Sequence, residues 1–191
     1  MPVFDYDPPE RFVAGAVGQP GSRAFFLQAR GQGRLTTVAL EKFQVAALAD
    51  RLDELLDEVL RRGEGGAAVP AVAPAALTDN APLDVPISED FRVGVMALAW
   101  DSEAAQVVIE AKEAVAGDEE FEPPPLVEPT VLRVHISPGA ARAFTKRAMA
   151  LVAAGRPPCP LCAQPLDPEG HICVRLNGYR GNSASSAGGG E

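Results

Sequence analysis

The chain has 191 residues, 47% of them Ala, Val, Ile, Leu, Met, Phe, Trp, Tyr or Cys but only 6% aromatic, and a formal net charge of −9. That length suits one domain or two small ones, with a core of Val, Leu and Ala supplemented by eight Phe. No apolar run approaches the roughly 18 residues of a membrane helix, Met1-Pro2-Val3-Phe4-Asp5 lacks the basic start of a signal peptide, and the acidic balance argues against a generic binder of nucleic acid or anionic membrane, so a cytoplasmic protein off the membrane is expected.

Arg11–Gly18, Ala24–Arg30 and Arg34–Leu40 are short segments rich in Val, Phe, Leu and Thr, separated by Gln19-Pro20-Gly21-Ser22 and Gly31-Gln32-Gly33. These are expected strands joined by turns. Over Glu41–Arg62 the apolar positions Val45, Leu48, Leu52, Leu55, Leu56 and Val59 recur every three or four residues, and Arg61-Arg62-Gly63 closes the run. An amphipathic helix is expected, with end charges that suit its dipole and a glycine to cap it. Residues 64–90 carry Pro70, Pro74, Pro82 and Pro86 among Ala and Gly and read as a linker without regular structure.

The theme then recurs. Phe91–Trp100 alternates, Asp101-Ser102-Glu103 turns the chain into Ala105–Lys112, and Val131–Ile136 supplies a third strand. Ser137-Pro138 offers an N-cap and a proline at the first helical position for a helix over Gly139–Ala154, which Gly155 ends. Between the second and third of these strands, 114–130 forms an acidic insertion: Asp118, Glu119, Glu120, Glu122 and Glu128 surround Pro123-Pro124-Pro125 and Pro129. Val13 matches Val93 at an offset of 80 and Leu35 matches Leu132 at 97; the difference of 17 is the length of 114–130. A duplicated β-β-β-α unit with one insertion accounts for both offsets.

The expected fold is therefore α+β over 1–155: repeat one at 11–63, repeat two at 91–155, sharing one antiparallel sheet of six strands with two helices on one face. Leu132, Val134 and Ile136 should face the helices, leaving Arg133 and His135 on the opposite side.

All three cysteines and one of two histidines lie in Cys159-Pro160-Leu161-Cys162 and His171-Ile172-Cys173. Two cysteines three apart in a tight turn aim both sulfurs at one ion, and residues 171 and 173 share a face when extended. Cys159, Cys162, His171 and Cys173 thus form a candidate zinc knuckle at 156–180, with Zn²⁺ structural because four protein ligands leave no position for water. The competing readings are a Cys159–Cys162 redox pair, which normally opens a helix, and cysteines without a special role.

Charge is uneven: residues 1–130 hold 10 basic against 23 acidic residues, net −13, whereas 131–191 hold 7 against 3, net +4. Arg175, Asn177, Tyr179 and Arg180 follow the cluster closely. They either grip an anion or a partner, the arginines binding carboxylate or phosphate in bidentate fashion, or pair with the protein's own acidic surface. Residues 181–191, built of Gly, Ser, Ala and Asn before a final Glu, are expected to be a disordered tail.

The motifs Asp-Pro-Pro-Glu-Arg-Phe-Val-Ala-Gly at 7–15, Gly-Gln-Pro-Gly-Ser-Arg-Ala-Phe-Phe-Leu-Gln-Ala at 18–29 and Cys-Pro-Leu-Cys…Gly-His-Ile-Cys-Val-Arg-Leu-Asn-Gly-Tyr-Arg at 159–180 resemble an actinobacterial family of unknown function catalogued as an uncharacterized repeat protein. The resemblance implies a cytosolic protein with a duplication and brings no catalytic residue.

Glycines 15, 18 and 21 faintly imitate a phosphate loop, but a strand rather than a helix is expected after them. His135 beside Arg133 is a weak general-base candidate on an exposed face. The leading expectation is a non-catalytic binding or adaptor protein for a protein or small anionic partner. A hydrolase or transferase using Arg133, His135, Arg175 and Arg180 is the alternative, and single-stranded nucleic-acid binding, short of exposed aromatics, is third. Nothing in the sequence decides the oligomeric state.

Overall fold

A computed structural model describes residues 2–63, 69–115, 128–155, 159, 161 and 162. The chain divides into two units, Met1–Ala154 and Gly155–Glu191. Unit one contains strands β1 (Val3–Tyr6), β2 (Arg11–Val17), β3 (Ala24–Gly31) and β4 (Arg34–Leu40), helix α1 (Lys42–Arg62), strands β5 (Phe91–Asp101), β6 (Gln106–Glu113) and β7 (Val131–Ile136), and helix α2 (Pro138–Ala153). The expected strands and helices are present to within two residues at each end.

Two corrections concern the sheet. Among the described residues it has seven strands, in the order β1-β7-β6-β5-β4-β3-β2, and it is mixed: β4 runs parallel to β5, and β1 parallel to β7. The extra strand is β1. Its four residues lie just before Pro8-Pro9, too short a run to announce a strand. Each half, β2-β3-β4-α1 and β5-β6-β7-α2, is an antiparallel meander leading into a helix. Within the sheet the halves pair at Val38↔Phe91 and Ala39↔Arg92, so β5 runs on past the end of β4.

The sheet also curls. Its edge strands β1 and β2 are joined by just Asp7–Glu10, the Tyr6 and Thr36 hydroxyls lie 2.7 Å apart, and Glu10 N–H donates to Arg30 O at 2.8 Å. Inside the curve, Ala14, Leu27, Val38, Ile109, Leu132 and Val134 pack with Val45, Leu52 and Leu56 of α1 and Ala141, Phe144 and Ala148 of α2 in a single core. Alternation along β7 places Leu132, Val134 and Ile136 there, as expected, and turns Arg133 and His135 outward.

The helices start and stop where local chemistry permits. Glu41 N–H donates to Gln44 Oε1 at 2.8 Å, Gly63 closes α1 at φ 70°, and Ser137 Oγ accepts the Ala140 N–H ahead of α2. Arg142 of α2, 6% exposed, forks onto Asp53 and Asp57 of α1 and also donates to Pro70 O at 3.2 Å. Burial alone would lower this guanidinium's pKa; the hydrogen bonds to Asp57 and Asp53 more than offset it and leave the pKa raised.

The stretch expected to be a plain linker runs first past α2, where Pro70, Pro74 and Leu77 lie, and then, from Asp79 to Asp90, crosses the outer face of β2 to β4 as a strap. It contains a 3₁₀ turn at Ala75–Leu77. Gln28, buried in β3, treats the strap like a neighbouring strand: its Nε2 donates to Asp84 O at 3.0 Å and its Oε1 accepts the Asp84 N–H at 2.8 Å. Asp90 repeats the device on β4, its N–H donating to Thr37 O and its Oδ2 accepting the Thr37 N–H, both at 2.8 Å. Gly15 is required by this packing, because a Cβ there would lie 2.5 Å from the Leu83 side chain. Of the acidic insertion, residues 116–127 lie outside the described residues, as does the tail 181–191.

Candidate functional site

At the cysteine cluster, Cys159 is buried, Cys162 is half-buried, and residues 161 and 162 form a turn. The Leu161 N–H points at Cys159 Sγ at 3.4 Å, the type of backbone donation that stabilises a thiolate two residues earlier. His171 and Cys173 lie outside the described residues, and among the described residues no three His, Cys, Asp or Glu side chains are grouped to hold a metal ion. Arg175, Asn177, Tyr179 and Arg180 lie outside them too, so convergence with Arg133 and His135 is not shown.

On β7, both outward residues already have partners. Arg133 donates from Nε to Glu110 Oε1 at 2.8 Å, across the register pair Glu110↔Arg133. His135 Nε2 lies 3.6 Å from Asp5 Oδ1. Both sit half-buried on the outer face of β1-β7-β6.

A cavity of about 390 Å³ lies where the curled sheet meets α2, lined by Phe12, Ile136, Phe144, Arg11, Arg147 and Asp79 among others. Two arginines beside a cavity invite an anion, a pairing that sequence reasoning missed because Arg11 and Asp79 are 68 residues apart. Their donors are nevertheless spent internally. Arg11 grips Asp79 through Nε and Nη2, at 2.6 and 3.1 Å, reaches Ala81 O and Pro82 O, and meets Asp84 at 3.2 Å. Arg147 donates to Ala14 O and Ala81 O, both at 2.8 Å, and to the backbone and carboxylate of Asp79. The hydrogen bond from Arg11 holds the Asp79 carboxyl below its ordinary pKa, whereas burial lowers that of Arg147. This is the anchor of the strap, which engages both guanidinium groups within the chain.

A second cavity, about 900 Å³, is a groove between α1 and β5. Phe43, Ala47, Leu48 and Leu55 line it from the helix; Met96 and Leu98 line it from the strand. Phe43 is 70% exposed and Val95 65% exposed. On the rim, Arg51 pairs with Glu54 at 2.6 Å, and Glu58 is shared by Arg61 and Arg62. The sequence offered one signal for this place: the eight-residue run Val93–Trp100, apolar apart from Gly94. It could not show that β4 stops short of it.

The glycines that resemble a phosphate loop do not form one. Gly15 is a strand residue paired with Phe26, and Gly18 and Gly21 shape the turn into β3 with φ of 103° and 105°. No described helix is long and apolar enough to cross a membrane.

A family model described as protein of unknown function, DUF3090, matches residues 4–173, and the chain belongs to that family. No curated protein and no solved structure matches it.

Proposed function

We propose that this member of the DUF3090 family is a non-catalytic binding protein that works through surfaces, in the cytoplasm, with its C-terminal segment pinned by a structural zinc ion. The observation that carries the binding reading is the contrast between the cavities: the arginines beside the smaller one are engaged by the chain's own Asp79 and backbone carbonyls, and the larger one is lined mainly by apolar side chains. Neither offers a nucleophile with a base beside it, the minimal arrangement for covalent or general-base catalysis.

Cys159, Cys162, His171 and Cys173 would hold the ion. The thiolate-stabilising N–H on Cys159 Sγ supports this set, and the soft donors suit zinc, which would supply folding stability to a segment poor in apolar residues. Arg175, Asn177, Tyr179 and Arg180 would engage an acidic or anionic group of the partner. The two meanders, each leading into a helix, support the duplication, with 114–130 inserted in the second copy.

Metal analysis of the purified chain should find one zinc per chain, reduced in Cys159→Ser and Cys162→Ser variants, and chelation should remove amide protection from 156–180. A metal-free protein with unchanged protection there overturns the zinc assignment. Arg175→Ala with Arg180→Ala should weaken partner capture without altering zinc content or melting. His135→Ala should keep full cellular function; loss of function with an intact fold would favour the hydrolase or transferase reading instead.

A further inference from the structure

The anchor of the strap has the composition of a ligand site. Arg11 forks onto the Asp79 carboxylate through Nε at 2.6 Å and Nη2 at 3.1 Å, and Arg147 Nη1 adds a third donor at 3.1 Å. One guanidinium side-on and a second bracing it is an arrangement that reads an acid by geometry as well as by charge. Directly beside it lies the cavity of about 390 Å³, within the range of small-molecule sites. Phe12 and Phe144, stacked 4.7 Å apart and 12° from parallel, give this cavity a flat wall, and Ile136 and Leu77 continue its apolar lining. The two arginines are the fixed part: their side chains are 10% and 15% exposed, against 32% for Asp79. What fills the fork reaches in from outside. Arg11 also holds Ala81 O and Pro82 O, and Arg147 holds Asp79 O and Ala81 O, so lifting the single stretch 79–82 frees both guanidinium groups together.

We propose that the Arg11–Arg147 fork and the cavity beside it form a binding site for a small monocarboxylic acid with an apolar body, and that Asp79 is the built-in competitor that occupies the fork in the unliganded chain. The acid's carboxylate takes the place of Asp79, its body lies along the Phe12–Phe144 wall, and the strap lifts over 79–82. One carboxylate replaces another, so the charge in the fork is conserved. A neutral analogue leaves two largely buried guanidinium groups short of a counter-charge, which selects against it. Asp79 competes at the high effective concentration of a tethered group, so the apparent affinity for the acid is reduced by the fraction of chains whose strap is closed. The coupling is reciprocal: an acid that binds the open form opens the strap. This site is separate from the zinc segment and from Arg175 and Arg180, and its failure leaves the binding reading above to its own tests.

The test titrates the full chain and its Asp79→Ala and Asp79→Asn variants with benzoate, phenylacetate, hexanoate and octanoate, and with the primary amide of each. Binding is read by calorimetry and strap opening by amide exchange. The variants should bind at least one of the acids about tenfold or more tightly than the wild type does, and should discriminate against its amide. In the wild type, saturating acid should speed exchange across 79–84 and leave that of β6 unchanged. Folded Asp79 variants that bind none of the acids overturn the proposal. So do acids that bind wild type and variants equally, which removes Asp79 as a competitor, and amides that bind as well as the acids, which removes the guanidinium fork as the reader. Should both substitutions unfold the chain, the wild-type exchange measurement decides alone, and strap amides that saturating acid does not move refute the site.

Discussion

The two halves of the sheet share a meander-and-helix plan but treat their outer faces differently. On β2, β3 and β4 the strap covers that face, so β3 is buried on both sides from Phe25 through Ala29. On β6 and β7 no described residue plays this role, and the outward positions are polar or half-exposed: Val108, Glu110, Arg133 and His135. Sequence texture follows cover. Ala24–Arg30 reads as a nearly continuous apolar run, as strands buried on both faces do, whereas Gln106–Glu113 and Val131–Ile136 alternate. A proline-rich linker beside a two-faced strand is thus a structural layer, and its prolines dispense with donors that no ladder would use.

Core truncation gives the largest contrast. Leu27→Ala, at a fully buried position, should cost about 2–5 kcal/mol in chemical denaturation, while Val108→Ala on the open face should stay within about 0.5 kcal/mol; equal losses would erase the distinction. Next comes the strap's anchor. Asp79→Ala leaves Arg11 and Arg147 without their shared carboxylate and should cost about 2–3 kcal/mol, with amide exchange rising across 79–84 before the helices melt.

Gly15→Ala should cost about 1–3 kcal/mol through its clash with Leu83, and Leu83→Ala in the same chain should recover part of it. Independent, additive losses would show that the strap does not press on β2. Acid should act on the same anchor. The Asp79 pKa is depressed from its ordinary 3.8, so its contribution is complete above that value and disappears as pH falls through the lower folded-state value; strap amides should open in that acid range ahead of those of β6. The smallest effect belongs to the open half, where Glu110→Ala, breaking a solvent-facing pair with Arg133, should cost less than about 1 kcal/mol.

Local signals explain what could be read beforehand. Apolar spacing and Gly63 define α1, Ser137-Pro138 starts α2, and alternation orients β7. What escaped was relational. The pairing of Arg11 with Asp79, the seat of Leu83 on Gly15 and the parallel junction of β4 with β5 each join residues more than fifty positions apart, and no local pattern encodes them. The candidate surface escaped for the same reason: the apolar run of β5 is visible, but its open edge exists only because β4 ends early and the chain turns into α1. The proposed zinc ligands rest on spacing alone: all four fall within fifteen residues, and His171 and Cys173 lie outside the described residues.

The parallel pairing of Val3 with Val131 carries a temporal consequence. The curl of the sheet is completed by strands from opposite ends of the unit, so β1 has no lasting partner until β7 exists. During synthesis the β2-β3-β4-α1 half can assemble from near neighbours, but sealing the edge must wait for nearly the whole unit to be made, since such distant contacts carry the greatest loop-closure cost. Closure is then a late, all-or-none event, and until it happens the nascent chain exposes β1 and β7 as unpaired edges.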